Sequence, residues 1–470
     1  MPVGSVAPEL ILLGGSVAVL LYALFAPRRL QAGAAVVSLI TLGATAAAAL
    51  PMLRGGQGTT FFGTYAVDDA AVWAKLIVLG ATALAVALSV EWFRSDPRHG
   101  EYYALLLMSA LGAVVIAGAT DLMQLVLGIL LASATGYVLA AYHRRSAEAG
   151  EAAMKFFLLG ALTNAGMLFG VALLFGLGGS TLFGELRGSL QGADPVALVA
   201  AAGLVVVGVA FKLGAVPAHA WMPDVAEGAP APVAAFLTTA PKIGALVAIG
   251  RLALVLPEGG VGWRPLVAVL AAATMTLGNL AALWQDDVRR LLGWSAVSQS
   301  GYGLMAVVAL GRSSLAVPSL LFFLIAYAAA NIAAFGVVVE LRGEARRERY
   351  AGLATSHPAL ALALVIAFLS LVGIPPLAGF GAKLALFGAT IDAGYTWLAV
   401  LAVANSVVSL AYYARVLAPA YFHPLAGRPL PALGRWARIG TAASAAGVVV
   451  FGILAEPLLG GFDVSRLLPG

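Results

Sequence analysis

Residues 195–217 have the sequence PVALVAAAGLVVVGVAFKLGAVP, an apolar run that carries one lysine near its end and closes on a glycine and a proline. A helix of ~20 such residues crosses the ~30 Å hydrocarbon core of a membrane, where lipid offers no partner for an unpaired backbone amide. Apolar runs of this kind recur along the chain with gaps too short for soluble folds. The pattern predicts an all-α polytopic membrane protein.

The composition indicates the same class. Hydrophobic residues make up 61% of the chain and charged residues 10%, with a mean hydropathy of +0.96. The net charge of +5 comes from basic residues dispersed between apolar runs, a pattern of membrane topology and not of nucleic-acid binding. Cysteine is absent, which excludes disulfides, thiolate metal sites and iron–sulfur clusters held by this chain. We therefore predict a lipid environment, no nucleic-acid partner, and no metal or redox centre in this chain.

About fourteen runs are long enough to span a membrane. They lie near residues 8–26, 33–53, 70–92, 102–120, 121–141, 154–178, 196–221, 230–256, 263–284, 291–311, 316–341, 357–390, 395–420 and 437–459. We predict a single membrane domain over residues 1–470, made of N-terminal helices 1–3 (1–101), helices 4–8 (102–256), helices 9–13 (257–420) and a C-terminal helix (421–470). Pro217 and Pro375 predict discontinuous helices, because proline removes a backbone donor.

Arginines favour one side of the predicted membrane. If the N-terminus is outside, the inner loops hold Arg28, Arg29, Arg94, Arg98, Arg144, Arg145, Arg289, Arg290, Arg342, Arg346, Arg347, Arg349, Arg415, Arg428, Arg435 and Arg438. The outer loops then keep Arg54, Arg187, Arg264, Arg312 and Arg466. This asymmetry follows the positive-inside rule and predicts that both termini lie outside.

Lysine is used differently from arginine. The five lysines lie within or at the edge of apolar runs: Lys75, Lys155, Lys212, Lys242 and Lys383. A lysine at membrane depth costs at least ~2.5 kcal/mol on insertion scales but, unlike arginine, it can release its proton. A proton path explains such lysines, and snorkelling to the interface is the alternative. The path is favoured for Lys212, Lys242 and Lys383, which lie beside helix-breaking prolines; both explanations stay open for Lys75 and Lys155.

An internal repeat favours a transporter. Phe156-Phe157-Leu158 recurs 166 residues later as Phe322-Phe323-Leu324, and Ser133-x-x-Gly136-Tyr137 recurs 165 residues later as Ser298-x-x-Gly301-Tyr302. The copies are separated by five predicted segments, an odd number that reverses their orientation. The sequence therefore predicts two inverted repeats of five helices, the architecture that places a transport site between the halves.

Several longer motifs carry a family resemblance. The run FKLGAVPAHAWMPDVAEGAP over residues 211–230, followed by Ala240-Pro241-Lys242, resembles the signature of the N subunit of bacterial respiratory complex I. Related proteins are mitochondrial subunit 2 and its chloroplast counterpart. Further similar stretches are KFFLLGA (155–161), RRLLGWS (289–295) and PPLAGF (375–380), the last leading to Lys383. The resemblance extends over essentially the whole chain.

The resemblance implies an antiporter-like subunit that moves protons while other subunits carry electrons from NADH to quinone. It implies that Lys212 switches in the first half-channel, that Lys242 relays at the centre, and that Lys383 serves the second half-channel. Lys155 matches the sixth-segment lysine of the family. The implied partners are other membrane-arm subunits, lipid and protons, in a bacterial cytoplasmic (inner) membrane. NADH and quinone would be used by the parent complex, with no cofactor bound by this chain.

Two positions depart from the family. Alignment places Leu130 where the family has a glutamate that pairs with the seventh-segment lysine, and Gln299 where a histidine is frequent. A leucine cannot serve as counter-ion to Lys212, and glutamine cannot relay a proton by titrating. Two alternatives therefore remain beside the pumping subunit: a cation/proton antiporter subunit of related ancestry, and a non-conducting structural subunit of the membrane arm.

Other polar residues are weaker candidates. Asp224 and Glu227 follow the first helix break, where they would cap a helix or line a channel mouth. His219 is a proton-entry group or an interfacial histidine. Asp68 and Asp69 are predicted to cap the third segment.

Overall fold

The computed structural model describes residues 3–54, 58–96, 99–143, 146–258, 262–425, 432–462 and 467. The helices are α1 (Ala7–Phe25), α2 (Gly33–Ala49), α3 (Asp69–Trp92), α4 (Gly100–Gly118), α5 (Leu122–Ala140), α6 (Ala147–Gly178), α7 (Phe183–Ser189), α8 (Pro195–Leu213), α9 (Trp221–Gly228), α10 (Ala231–Leu237), α11 (Ala240–Val255), α12 (Trp263–Leu283), α13 (Val288–Ala309), α14 (Ala316–Glu340), α15 (Leu353–Ser356), α16 (Pro358–Val372), α17 (Ala378–Asp392), α18 (Thr396–Phe422), α19 (Arg435–Ile453) and α20 (Ala455–Phe462). Strands β1 (Gly58–Thr60) and β2 (Tyr65–Val67) pair antiparallel between α2 and α3. Short 3-10 turns occupy Val3–Val6, Arg28–Leu30, Leu50–Arg54 and Arg347–Tyr350. The boundary arginines Arg98, Arg144, Arg145, Arg428 and Arg466 lie outside the described residues.

The described residues confirm an all-α membrane fold. Within them, 12 helices are long and apolar enough to cross a membrane, with α10 and α11 counted as one span, Ala231–Val255. The predicted count of fourteen is not confirmed by this measure. The helix α13 has 22 residues, but polar side chains such as Gln299 lower its hydropathy. The helices α16 and α17 have only 15 residues each, because the chain breaks between them.

Both predicted helix breaks are present and have the same construction. Helix α8 ends at Leu213 and is followed by Gly214 with φ 64°, while α16 ends at Val372 and is followed by Gly373 with φ 97°. Both values lie in the left-handed region, which glycine adopts without steric cost at a helix C-terminus. The peptide bonds Val216–Pro217 and Pro375–Pro376 that follow are cis. Each break therefore ends one helical segment inside the protein and turns the chain before the next segment.

The repeat is visible in the packing. Helix α6 packs against α5 and against the broken helix α8, while α14 packs against α13 and against the broken pair α16 and α17. The second helix of each copy thus packs against both the first helix and the interrupted one, and in the second copy α13 also contacts α17 directly. Helix α13 also packs along α12 and contacts α9, α11, α17 and α18, which makes it central to the bundle. The predicted subdivision boundaries at residues 101, 256 and 420 stay predictions.

A buried ion pair joins the N-terminal helices to the first repeat. Asp68 caps α3 as predicted, accepting a hydrogen bond from Ala71 N at 2.8 Å. Its two carboxylate oxygens also accept hydrogen bonds from Arg251 of α11 at 2.6 and 2.7 Å, and both side chains are 0% exposed. The Nε of Arg251 donates to Ala117 O at 2.9 Å at the end of α4. This bidentate pair holds three helices together and was not predicted.

Candidate functional site

Lys212 lies in the last turn of α8, immediately before the first break. Its side chain is buried, and Nζ lies 5.5 Å from the ring centroids of both Phe156 and Phe211. Among the described residues no carboxylate pairs with it. Aromatic faces attract an ammonium but cannot take its proton. The sequence-based expectation that Lys212 has no acidic counter-ion of its own therefore agrees with its surroundings.

Lys242 occupies the first turn of α11 and is fully buried. Its Nζ donates to the backbone carbonyl of Ala296 in α13 and, at 3.2 Å, to the hydroxyl of Tyr327 in α14. The Tyr327 hydroxyl in turn donates to Thr238 O at 2.7 Å. Asn331 donates to the hydroxyls of Thr238 and Thr239 at 2.9 and 2.8 Å, which extends the polar cluster. Lys242 thus joins α11 to α13 and α14, the helices that carry its two hydrogen-bond partners.

Lys383 points from α17 back to the C-terminal end of α16 across the second break. Its Nζ donates to Leu371 O at 2.9 Å, to Val372 O at 3.0 Å and to Ser406 Oγ at 3.2 Å. The free carbonyls at a helix C-terminus carry partial negative charge and favour a cation. The broken helix therefore supplies the acceptors that a carboxylate would otherwise provide.

Helix α13 connects these three lysines. The hydroxyl of Ser300 lies 2.5 Å from Leu213 O, beside Lys212, and 3.1 Å from Ala296 O, the acceptor of Lys242. On the same helix, Gln299 donates to Leu371 O at 3.0 Å, the carbonyl that also accepts from Lys383. Side chains of this one helix therefore donate hydrogen bonds to backbone carbonyls at both helix breaks. Gln299 could be singled out from the sequence, whereas Ser300 could not, because its role depends on a tertiary contact.

A small cavity is lined on one side by Tyr327, the hydrogen-bond partner of Lys242, and on the other by Lys383. Four of its lining residues, Tyr327, Gln299, Ser370 and Lys383, are polar, but nearly all of the cavity surface is apolar. The cavity therefore brings these four side chains together around one small space. Tyr302 closes the far side of Lys383, with its ring centroid 4.0 Å from Nζ and its hydroxyl 3.0 Å from Ser406 Oγ.

The structure separates Lys155 from the buried lysines. Its side chain is 48% exposed and pairs with Glu151 at 2.7 Å and with Asp224 at 3.0 Å. Arg290 pairs with both Asp224 and Glu227 at 2.6 Å. Asp224 and Glu227 lie within α9 and form ion pairs, so the capping alternative is wrong for both. These charged residues form one surface network beside the first break.

His219 lies between the first break and α9. Its ring centroid is 5.7 Å from that of Trp294, and its Nδ1 is buried with no hydrogen-bond partner among the described residues. The residue is partly exposed on the same side as the surface network. Its position is compatible with a proton-entry group and with an interfacial histidine, and both alternatives stay open.

Similarity to known proteins extends over nearly the whole chain. A family model described as "NADH:quinone oxidoreductase/Mrp antiporter, TM" matches residues 119–409. NADH-quinone oxidoreductase subunit N of Mycobacterium sp. (strain JLS) is 44% identical over 455 residues, which cover 96% of this chain and 96% of that protein. This chain belongs to the family of NADH-quinone oxidoreductase subunit N. The subunit N family also includes subunit N 1 of Streptomyces griseus subsp. griseus, 44% identical over 96% of this chain and 95% of its own length.

A solved structure agrees with the membership in the subunit N family. A chain of respiratory complex I from Thermus thermophilus with bound aureothin superposes with a TM-score of 0.84 and 32% identity, over 98% of this chain and 100% of that chain. The predicted resemblance to the complex I antiporter-like subunits is therefore confirmed.

Leu130 is the position where the sequence has a leucine in place of the glutamate of the family. Leu130 is 38% exposed on α5, and α6 packs between α5 and the Lys212-bearing helix α8. None of the polar contacts described for the buried lysines reaches it. The expectation that residue 130 would face Lys212 thus finds no support in the contacts, because this part of α5 forms an outer surface of the chain.

Proposed function

We propose that this chain is the N subunit in the membrane arm of an NADH:quinone oxidoreductase and that it carries protons along Lys212, Lys242 and Lys383. The observation that carries the proposal is the set of hydrogen bonds from α13 to backbone carbonyls at both helix breaks. Lysine is the cationic residue that can lose its proton when buried, and each of these three lysines is buried. Backbone carbonyls and hydroxyls next to them can stabilise the charged form while a proton is held.

The proposed order of transfer follows the contacts. A proton enters at the charged network of Lys155, Asp224 and Glu227, with His219 beside it, and reaches Lys212 at the first break. Ser300 lies between Lys212 and Lys242, since it donates to Leu213 O and to Ala296 O, the acceptor of Lys242. Water beside the Ser300 hydroxyl would carry the proton, because a backbone carbonyl only accepts a hydrogen bond. From Lys242 the proton passes by Tyr327 to Lys383, which line the same small cavity, and Gln299 shares the acceptor Leu371 O with Lys383. Charge movements that start at quinone reduction in other subunits would bias loading and release.

The chain itself is proposed to hold no redox centre and no cofactor. Among the residues that the structure describes, no group of three or more His, Asp or Glu side chains is placed to hold a metal ion. NADH and quinone are used by other subunits of the parent complex, and the partners of this chain are membrane-arm subunits, lipid and protons. The membrane is proposed to be the bacterial cytoplasmic (inner) membrane, with both termini outside.

Purification from native membranes tests the assignment to a complex. An affinity-tagged chain, extracted in mild detergent, is expected to bring with it subunits that oxidise NADH and reduce quinone, measured as NADH:quinone activity of the eluate. An untagged strain is the control for non-specific capture. Recovery with membrane antiporter subunits alone, without NADH oxidation, would instead favour the cation/proton antiporter alternative.

Topology reporters test the proposed orientation. A reporter fused after Arg349 is expected to show a cytoplasmic location, and one fused after Asp392 an outer location, because the arginine-rich loops stay inside. The measurement is the paired activity of an alkaline phosphatase and a fluorescent-protein reporter at each site. The reverse result at either site would contradict the segment count on which the orientation depends.

A further inference from the structure

One lysine of this chain differs from the other buried lysines in having a carboxylate partner. Lys75 in α3 is buried and forms an ion pair with Oε1 of Glu9 in α1. Lys212, Lys242 and Lys383 have no carboxylate partner among the described residues, and Lys155 is exposed. The N-terminal helices therefore contain a buried lysine–carboxylate pair, whereas Lys212 has no such partner.

Tyr65 completes the surroundings of this pair. Its hydroxyl donates to Glu9 Oε1 at 2.6 Å. Burial, and next the neighbouring carboxylate of Glu9, raise the pKa of Tyr65 well above its usual value, so Tyr65 stays protonated and acts as a donor. The second oxygen, Glu9 Oε2, is buried and has no hydrogen-bond partner among the described residues. Oε1 is thus shared by Lys75 and Tyr65, while Oε2 is left without a hydrogen bond among the described residues.

The neighbouring pair of Asp68 and Arg251 gives an internal comparison. Both oxygens of Asp68 are occupied by an arginine that cannot release its proton, and neither side chain is exposed. The Glu9 side chain is 12% exposed, holds the lysine through one oxygen only, and its partner can release a proton. The arrangement of Asp68 and Arg251 fits a permanent structural ion pair. The arrangement of Glu9 and Lys75 fits a site that exchanges protons with one side of the membrane.

The position of the pair indicates which side that is. Glu9 lies in the first turn of α1, and Lys75 lies in the second turn of α3, at the end of both helices covered by the β-hairpin. In the orientation proposed above, this end faces outside. The same helix α3 also buries Thr82 and Ser89, two and four turns further in, whose hydroxyls donate to Val78 O and Ala85 O of their own helix at 2.7 and 2.6 Å. Ser89 Oγ also lies 2.8 Å from the hydroxyl of Tyr102. Lys75, Thr82 and Ser89 recur every seven positions and so lie on one face.

We propose that Glu9 and Lys75 form a proton-release site at the outer end of the N-terminal helices, an inference that rests on the proposed function. The ammonium of Lys75 gives a proton to the carboxylate of Glu9, which breaks an N–H bond, forms an O–H bond and leaves an uncharged pair. The carboxylic acid then loses this proton to water outside. The amine of Lys75 regains a proton from the inner side through water along the hydroxyl face of α3. One proton moves outward per cycle.

The test uses the assembled complex with Glu9→Gln and Lys75→Met variants. The first readout is the number of protons pumped per NADH oxidised in proteoliposomes. The second is the NADH-induced infrared difference spectrum, in which a carboxylic-acid C=O band reports a glutamate that gains or loses a proton. Removing a group that transfers a proton slows that step by roughly 10²-fold or more. We expect both variants to lower the pumping ratio and Glu9→Gln to remove the band.

Ser16→Ala is the matched control. Ser16 is buried on α1, two turns from Glu9 on the same face, and its hydroxyl donates to the Leu13 carbonyl of its own helix at 2.7 Å. We expect this variant to keep both the ratio and the band. A wild-type ratio and an unchanged band in assembled Glu9→Gln would overturn the proposal and leave the pair as a structural contact.

Two further variants keep the outcome decisive. A single charge left buried can prevent assembly, so the double variant Glu9→Gln/Lys75→Met removes both charges. Restored assembly with a lowered ratio supports the site, and restored assembly with a normal ratio contradicts it. Lys242→Met in the same assay separates the two proposals. If Lys242→Met lowers the ratio and the Glu9 and Lys75 variants do not, the release site alone is wrong.

Discussion

Lys242→Met is expected to abolish the share of NADH-driven proton pumping that passes through this chain, while the complex still assembles. Methionine has a similar length but carries no proton, and a positioned acid or base contributes on the order of 10²–10⁴-fold to a proton-transfer step. Replacing a buried cation by an apolar side chain of similar size costs little stability. The same result is expected for Lys383→Met, in which Gln299 still donates to Leu371 O. The measurement is protons pumped per NADH oxidised in proteoliposomes.

Matched controls lie on the same helices. Leu246 of α11 and Leu386 of α17 are both fully buried, and a leucine-to-methionine change preserves volume. We expect Leu246→Met and Leu386→Met to leave the pumping ratio unchanged. A normal ratio in fully assembled Lys242→Met and Lys383→Met would favour the non-conducting structural subunit instead.

Breaking the ion pair between Asp68 and Arg251 is expected to have the largest effect on stability. Asp68→Asn keeps the helix cap, since asparagine caps well, but leaves the arginine buried without a counter-charge. Loss of one member of a buried pair typically costs about 3–5 kcal/mol. We expect Asp68→Asn and Arg251→Met each to lower the yield and thermal stability of the assembled complex, measured by native gel and by thermal aggregation in detergent.

The double variant and an exposed carboxylate complete this experiment. Asp68→Asn/Arg251→Met removes both charges and is expected to be more stable than the sum of the single effects predicts. Glu151 is 68% exposed and forms an ion pair with Lys155, which is 48% exposed, so Glu151→Gln is expected to change stability by less than about 1 kcal/mol. Additive losses in the double variant would mean that the two charges do not stabilise one another.

The fold class and the main site residues could be predicted from sequence because both depend on local patterns. Long apolar runs require helices in lipid, and Pro217 and Pro375 mark places where a helix cannot continue. The lysines beside these prolines stand out because a charged residue inside an apolar run is rare. These features can be recognised in the sequence without knowing which helices are in contact.

The contacts that join these residues were not predictable in the same way. The sequence does not single out Arg251, because its partner Asp68 is 183 positions away and caps another helix. The sequence allows two explanations for Lys75, because only the tertiary structure brings Glu9 to it. The number of spans differs between sequence and structure for a physical reason as well, since α13 combines a transmembrane length with the polar side chains that contact the lysines and their acceptors. Features that depend on packing between distant segments need the structure.

The central position of α13 has a thermodynamic consequence. One helix supplies the carbonyl that binds Lys242, the hydroxyl beside Lys212, and the amide that shares an acceptor with Lys383. When one lysine takes up a proton and α13 shifts in response, the proton affinities of the other two lysines change. Linkage requires that this effect be reciprocal and of equal size in both directions. The three lysines are therefore expected to titrate as one cooperative unit, in which the charge already present decides where the next proton is accepted.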